Sequence, residues 1–220
     1  MAISAAPTTG AARWLSLSGA VAAVMVVLSF AVLGGDTPDG SDPAAKISAY
    51  YDSHEVREWI AAFVLAASGP FFVIFAIVLA TSLWPAVTAG ARPIWSTVLT
   101  VGGATAAAGF MVGALVHVAL TDTANQSGVS GGALQALAGL DGSAWVAFNA
   151  GLGVLMLGAG ASLLASKTNQ VLGWIALVAG IALFIPFADF VALIVTGLWL
   201  IWTSIVLFRR GPAISVAATA

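Results

Sequence analysis

The chain contains no cysteine. That absence removes a disulfide framework, thiol catalysis, thiolate zinc and iron–sulfur clusters, and it leaves the redox compartment unread. Charge is scarce as well: seven Lys and Arg and nine Asp and Glu make up 7% of 220 residues, against about 25% in a soluble domain. So few charges cannot cover a water-facing surface of ordinary size, so most of the surface must face lipid. With a formal net charge of −2 and no basic run, the electrostatic footprint of a nucleic-acid binder is missing, and no nucleic-acid partner is expected. There are only two histidines, and one of them, His54, falls in a loop, which speaks against a bis-histidine haem inside a bundle. No phosphate loop, nucleophile elbow, paired intramembrane carboxylates or Arg-rich sensor helix occurs. No cofactor is expected.

What the chain does have is apolar length: 60% of residues are hydrophobic and the mean hydropathy is +1.05. At about 20 residues per span, six crossings fit with short connections. The expected fold is an all-α polytopic membrane bundle forming a single transmembrane domain over 1–220, with spans at about 14–34, 59–84, 94–120, 143–165, 171–186 and 189–208. The uncharged run after Arg13 exceeds the apolar core of a signal peptide, and no clear A-x-A site precedes Asp36, so span one is expected to remain uncleaved. Two polar loops stand out, 35–58 and 121–142. In the first, Asp42-Pro43 can start a short helix whose Ile47, Tyr50 and Tyr51 recur at helical spacing and could lie on the membrane surface. In the second, Ala133 to Leu140 reads as a short amphipathic helix after a Gly pair.

Orientation follows from the cations, because Lys and Arg beside short loops are retained in the cytoplasm. With the amino terminus inside, Arg13, Arg92, Lys167, Arg209 and Arg210 are cytoplasmic, and only Lys46 and Arg57 fall outside. All nine acids lie on the outer side, and both termini are inside. Trp59 and Trp145 at outer ends, with Trp14, Trp84, Trp95 and Trp174 at inner ends, form the interfacial belt. The expected location is a bacterial plasma membrane. The hairpins of spans two–three and four–five share a Trp at the outer end and a Ser-Leu pair near the inner end (Ser82-Leu83, Ser162-Leu163), but any two hairpins of equal orientation look alike in this way. True internal duplication is not required.

Small residues four apart are abundant. Gly109 and Gly113 in span three, Ala147 and Gly151 and then Gly158 and Ser162 in span four, and Ala176 and Gly180 in span five let helix backbones approach closely in lipid. Packing within the monomer is the plain reading, and a homo-oligomer or partner interface through Gly109 and Gly113 is the functional one. Ser68-Gly69-Pro70 lies in the middle of span two, where Pro removes a backbone donor; the kink either packs or exposes carbonyls to a ligand.

Ionisable groups inside spans are the default pointers to function, and they are few here. His117 sits about one turn inside span three, Asn149 about one turn inside span four, and Asp189 at the outer start of span six; with Glu58 and Arg57 at the mouth of span two they would form a small polar cavity open to the outside. The plain alternative is a snorkelling histidine, a bonded asparagine and a helix-capping aspartate. His54 and Glu58 share a helix face at i and i+4, and His117 could complete two histidines and a carboxylate, although a zinc-protease motif lacks its second histidine here and no metal ligand is assigned.

The segment Ala44-Ala45-Lys46-Ile47-Ser48-Ala49-Tyr50-Tyr51-Asp52-Ser53-His54-Glu55-Val56-Arg57, feeding an apolar span, resembles small uncharacterised actinobacterial six-span membrane proteins, in which an Asp-Pro-rich outer loop ends in an Ala-Tyr-Tyr-x-x-His-like segment. The resemblance implies a fold and a compartment but no catalytic residues. The expected role is non-enzymatic: binding or passage of a small, weakly charged or apolar molecule at His117, Asn149, Asp189, Glu58, Ser68 and Pro70. The alternatives are a membrane partner or scaffold subunit and an outer-face metal-dependent enzyme using His54, Glu58 and His117. A hydrated ion pore is disfavoured because no span carries a charged ring. Since the chain has no native thiol, single cysteines report its topology cleanly. Asn125→Cys should react with an impermeant maleimide in intact cells and Thr168→Cys only after permeabilisation; the reverse pattern would invert the bundle.

Overall fold

In this computed structural model the described residues are 13–83 and 94–210. Trp84, where span two was expected to end, and Arg92 in the following connection lie outside them. Among the described residues the elements are α1 Ser18–Val27, which continues as a π-helix Leu28–Gly34, α2 Ala44–Leu83, α3 Ile94–Ala124, α4 Gly131–Ser143, α5 Trp145–Ala165, α6 Gln170–Ala182 and α7 Asp189–Arg210. Five helical stretches, Arg13–Gly34, Ala44–Leu83, Ile94–Ala124, Gly131–Ala165 and Asp189–Arg210, are long and apolar enough to cross a membrane.

The fifth expected span, 171–186, is shorter than its apolar run. Helix α6 stops at Ala182, 13 residues and about 20 Å long, rather than reaching Pro186. Pro186 explains the stop, because it has no N–H for Ala182 and its ring disfavours helical geometry at Ile185. The chain then turns through Phe187 in the left-handed region (φ 72°) before α7.

A second departure concerns residues 44–57. They do not form a separate helix lying on a membrane; they are the first part of α2, which runs 40 residues, about 60 Å, and so overshoots a hydrocarbon core of about 30 Å. Their apolar face is consumed by protein. Ile47 and Tyr51 are fully buried against Leu120, Ala124, Leu134 and Ala138, a small second core where the starts of α2 and α4 meet the end of α3. Helix α4 is the expected amphipathic segment, somewhat longer at both ends, and the Ser130 side chain accepts from the Ala133 amide to cap it. The loop before α2 is pinned at Asp39, whose carboxyl is held below its usual range by the hydroxyl and then the amide of Ser41. The Gln135 amide donates to the Asp42 carbonyl (3.0 Å) and fastens that loop to α4.

Glycines set the spacing of the main core. A Cβ at Gly102, Gly151 or Gly158 would collide with the backbone of Leu155, Ala106 or Leu99, so α3 and α5 run backbone to backbone. The small-residue face offered for a partner is thus used inside the chain: a Cβ on Gly109 would come within 2.6 Å of the Phe148 backbone, and Gly113 faces Ala144 and Leu65. Gly160 and Gly180 bring α6 onto α5 in the same manner. Close approach of this kind replaces the hydrophobic drive that lipid does not supply. In the space it defines, Phe72, Phe110 and Phe148 stack in a column with centroids 5.0 and 4.7 Å apart. At the opposite end, which carries Arg13, Lys167, Arg209 and Arg210, the Arg13 guanidinium donates to the Phe208 carbonyl (2.8 Å) and lies over its ring, joining the segment before α1 to α7.

The two kinds of glycine should separate in a melting experiment on detergent-purified protein. Gly151→Ala is expected to lower stability by about 1–3 kcal/mol because the backbone must shift. Gly197→Ala, whose Cβ would meet nothing within 4 Å, should be neutral or gain up to about 1 kcal/mol from helix propensity.

Candidate functional site

The end of the bundle opposite Arg13, Arg209 and Arg210 holds the acidic residues, and it contains one fully enclosed carboxylate. Glu58 has no exposed surface, although it lies in a helix whose next 25 residues carry no charge. An isolated charge there would cost several kcal/mol, so the neighbouring groups must compensate it. Oε1 accepts from the Arg57 guanidinium (2.9 Å) and the Tyr50 hydroxyl (3.0 Å), both from the same helix, and Oε2 faces His117 Nε2 at 3.1 Å across the α2–α3 contact. The other ring nitrogen, Nδ1, lies 3.0 Å from Asp141 Oδ2 in the last turn of α4. Both ring nitrogens donate together only when the ring carries its second proton. Two cations, Arg57 and His117, then balance two carboxylates, Glu58 and Asp141. The chain Arg57–Glu58–His117–Asp141 ties three helices together.

Tyrosines wall this cluster. Tyr51 stands edge-on to the His117 ring, with centroids 5.9 Å apart, and its hydroxyl is buried without a partner among the described residues. The Tyr50 hydroxyl oxygen also lies 3.1 Å from the Gly34 carbonyl, an alternative acceptor for its single proton at the π-helical end of the first span. Ser29 in that segment donates to the Ala61 carbonyl of α2 (2.9 Å). Wide helical turns of this kind recur at functional sites.

Beside the cluster lies a cavity of about 210 Å³. His117 and Asp141 form its polar wall, Phe30, Trp145 and Phe148 its apolar one, and the glycines at 34, 35 and 142 its rim. Glu58 stands behind His117 rather than on the cavity surface.

Of the residues expected to share one polar cavity, the fold joins His117 to Glu58 and Arg57 but sends Asn149 and Asp189 elsewhere. These two pair with each other, Asn149 Nδ2 to Asp189 Oδ2 at 3.4 Å, and neither lines the cavity. The reason is helical geometry. Consecutive residues point about 100° apart, so with Phe148 facing the cavity Asn149 turns toward α7. Ser68 and Pro70 do not open the helix either: α2 is continuous through them, the Ser68 hydroxyl donates back to the Leu65 carbonyl (2.6 Å), and Gly69 seats closely on Ala107. His54 is stacked on Tyr50, with Nδ1 at 2.9 Å from the Tyr50 carbonyl, and does not join Glu58 and His117. Among the described residues no group of three or more His, Asp or Glu is placed to hold a metal ion.

Asp141 was not singled out from the sequence. It reads there as one acid in a glycine-rich loop, and only the fold brings it to a histidine 24 positions earlier. Neither protein-family models, nor curated proteins, nor solved structures give a match to this chain. The chemistry of the site therefore rests on its own residues.

Removing one partner of the enclosed pair leaves the other charge uncompensated, at a cost of about 3–5 kcal/mol. Glu58→Gln and His117→Ala should each lower the melting temperature sharply, and the double variant should lose much less than the sum of the two. Additive losses in that cycle would mean that the two side chains do not interact.

Proposed function

We propose that the chain is a six-span protein of a bacterial plasma membrane, with both termini inside, that binds a small, weakly charged or apolar molecule in the cavity beside His117. The supporting observation is the cavity itself: about 210 Å³ with one wall carrying the mutually paired His117 and Asp141 and one of aromatic rings. Concave sites with apolar walls and a few fixed polar groups are the usual form of small-molecule sites. The ion-pair network makes the polar wall rigid, since His117 is held at both nitrogens. The outward position is supported by the distribution of cations, because Arg13, Lys167, Arg209 and Arg210 lie at the end of the spans away from the cavity. A non-enzymatic role agrees with a cluster in which every charge is already paired and no nucleophile is activated. Asn149 and Asp189 are here a helix–helix contact rather than ligand groups.

Native mass spectrometry from mild detergent tests this reading, because it reports retained small molecules directly. The wild-type protein is expected to carry a bound small-molecule mass. Gly142→Leu, whose side chain enters open space at the cavity rim, should lose it while melting normally, and Asn149→Ala should keep it. A bare wild-type chain under the mildest release, or retention unaffected by Gly142→Leu, would refute the assignment.

A further inference from the structure

We propose that the last turn of α4, residues 140–143, is a proton-operated latch on the cavity wall, fastened to α3 while the His117 ring carries its second proton and released when that proton is lost. Its consequence for binding rests on the ligand-binding reading of the cavity. The turn has little else to hold it. Helix α4 is anchored up to Gly139: Leu134 and Ala138 are buried in the second core, and Gly40 of the loop before α2 seats on the backbone of Gln135 and Gly139. From 140 to 143 no side chain is buried, the Ser143 hydroxyl donates only back to the Gly139 carbonyl, and α5 starts at Ala144 without a side-chain cap. Among the described residues the one side-chain bond from this turn to another helix joins Asp141 Oδ2 to His117 Nδ1 at 3.0 Å.

Local propensity works against the same turn. Gly139 and Gly142 flank Asp141, and a Cβ on either would meet nothing within 4 Å, so packing does not require glycine at these positions. Glycine in a helix loses more backbone freedom than alanine does, so the turn is helical in spite of its residues. An element of weak propensity with a single external tie has two accessible arrangements, and the tie sets their populations.

The tie depends on one proton. The imidazolium donates from both nitrogens, Nε2 to Glu58 and Nδ1 to Asp141, whereas the neutral ring has one N–H and one lone pair. Burial decides which carboxylate keeps the N–H. Glu58 has no exposed surface and no other donor to its Oε2 among the described residues, while the Asp141 side chain is 17% exposed on the cavity wall and can take water instead. Loss of the proton therefore turns a lone pair toward Asp141, and the carboxylate leaves. Few other groups bear on the ring. From α2 they are Arg57 and Tyr50, both bonded to Glu58, and Tyr51, edge-on to the imidazole. Asp36 after the first span and Asp122 on α3 are exposed and do not line the cavity, and the residues that the first span and α5 place around it do not titrate. A bond made in full only by the protonated ring is present at low pH and lost as pH rises through the ring's titration. Release takes away half of the polar wall, so a ligand fixed by that wall is let go.

A nitroxide on Leu140→Cys, an exposed position in a chain without native thiols, reads the mobility of the turn by electron paramagnetic resonance on the full-length protein in lipid nanodiscs. From about pH 6 to about pH 10, a range that starts below the ordinary histidine value, the mobile fraction should rise about tenfold. Its midpoint should match the His117 ring titration followed by nuclear magnetic resonance. Adding Gly139→Ala and Gly142→Ala should shrink the rise severalfold by strengthening the helix. Asp141→Asn, whose amide can accept from or donate to Nδ1, should flatten the response. Over the same range the small-molecule mass retained by the wild type in native mass spectrometry should fall. A label equally immobile at both ends of the range, or a response that survives Asp141→Asn, would overturn the latch. A label that becomes mobile while the retained mass stays constant would overturn its control of the site and leave the cavity as a ligand site. A chain bare at every pH would overturn the ligand reading, and the label alone then decides the latch.

Discussion

The arrangement of this protein turns on one carboxylate that has lost its water. Glu58 begins the apolar part of α2 with no exposed surface, and a charge in that position is tolerated only if its oxygens are saturated by donors. Arg57 and Tyr50 supply donors from the same helix, but the second oxygen requires one from outside it. His117 provides it, and its remaining nitrogen in turn requires Asp141. A requirement that starts on one helix is thus met only by fixing α3 and α4 against it. The overshooting start of α2, with Ile47 and Tyr51 packed under α4, is the apolar counterpart of the same junction.

Elsewhere the bundle is held by proximity. Where α3 and α5 touch at Gly102, Gly109, Gly151 and Gly158 there is no room for a methyl group, and the Phe72–Phe110–Phe148 column occupies the adjoining space. In lipid such contacts act through dispersion summed over many atoms. The close fit, which still holds at Gly19 against Phe75, stops along the second half of the first span. There the helix widens into its π segment, Phe30 leans on Phe148 with centroids 5.8 Å apart, and the two cavities open on either side of the pair. Space exists next to the ion-pair network because the first span is not drawn in by glycines along that stretch.

Much of this was legible in the chain. Apolar run length marks the helices that can span a bilayer, the cations sort the two ends, and His117 and Glu58 stand out as ionisable groups at the borders of apolar runs. The short helix before span four was legible too, because the amphipathic spacing that follows the Gly pair is a local signal. Other features were not. A pattern of Ile47, Tyr50 and Tyr51 at helical spacing looks the same whether the face meets a membrane surface or a protein core, and only the third and fourth helices decide for the core. Glycines four apart likewise announce close packing without naming the partner.

The sequence by itself determined composition-driven properties: an all-helical chain, long apolar helices, and charge segregated to the two ends, each following from local propensity and from transfer free energies that add along the chain. The tertiary structure decided which polar groups meet. His117 joins Glu58 and Asp141 while Asn149 turns to Asp189, because a step of one residue rotates a side chain by about 100° and selects a different neighbouring helix. Side-chain partnership between helices depends on rotation and depth, quantities that hydropathy does not carry and that backbone contact at the glycines sets.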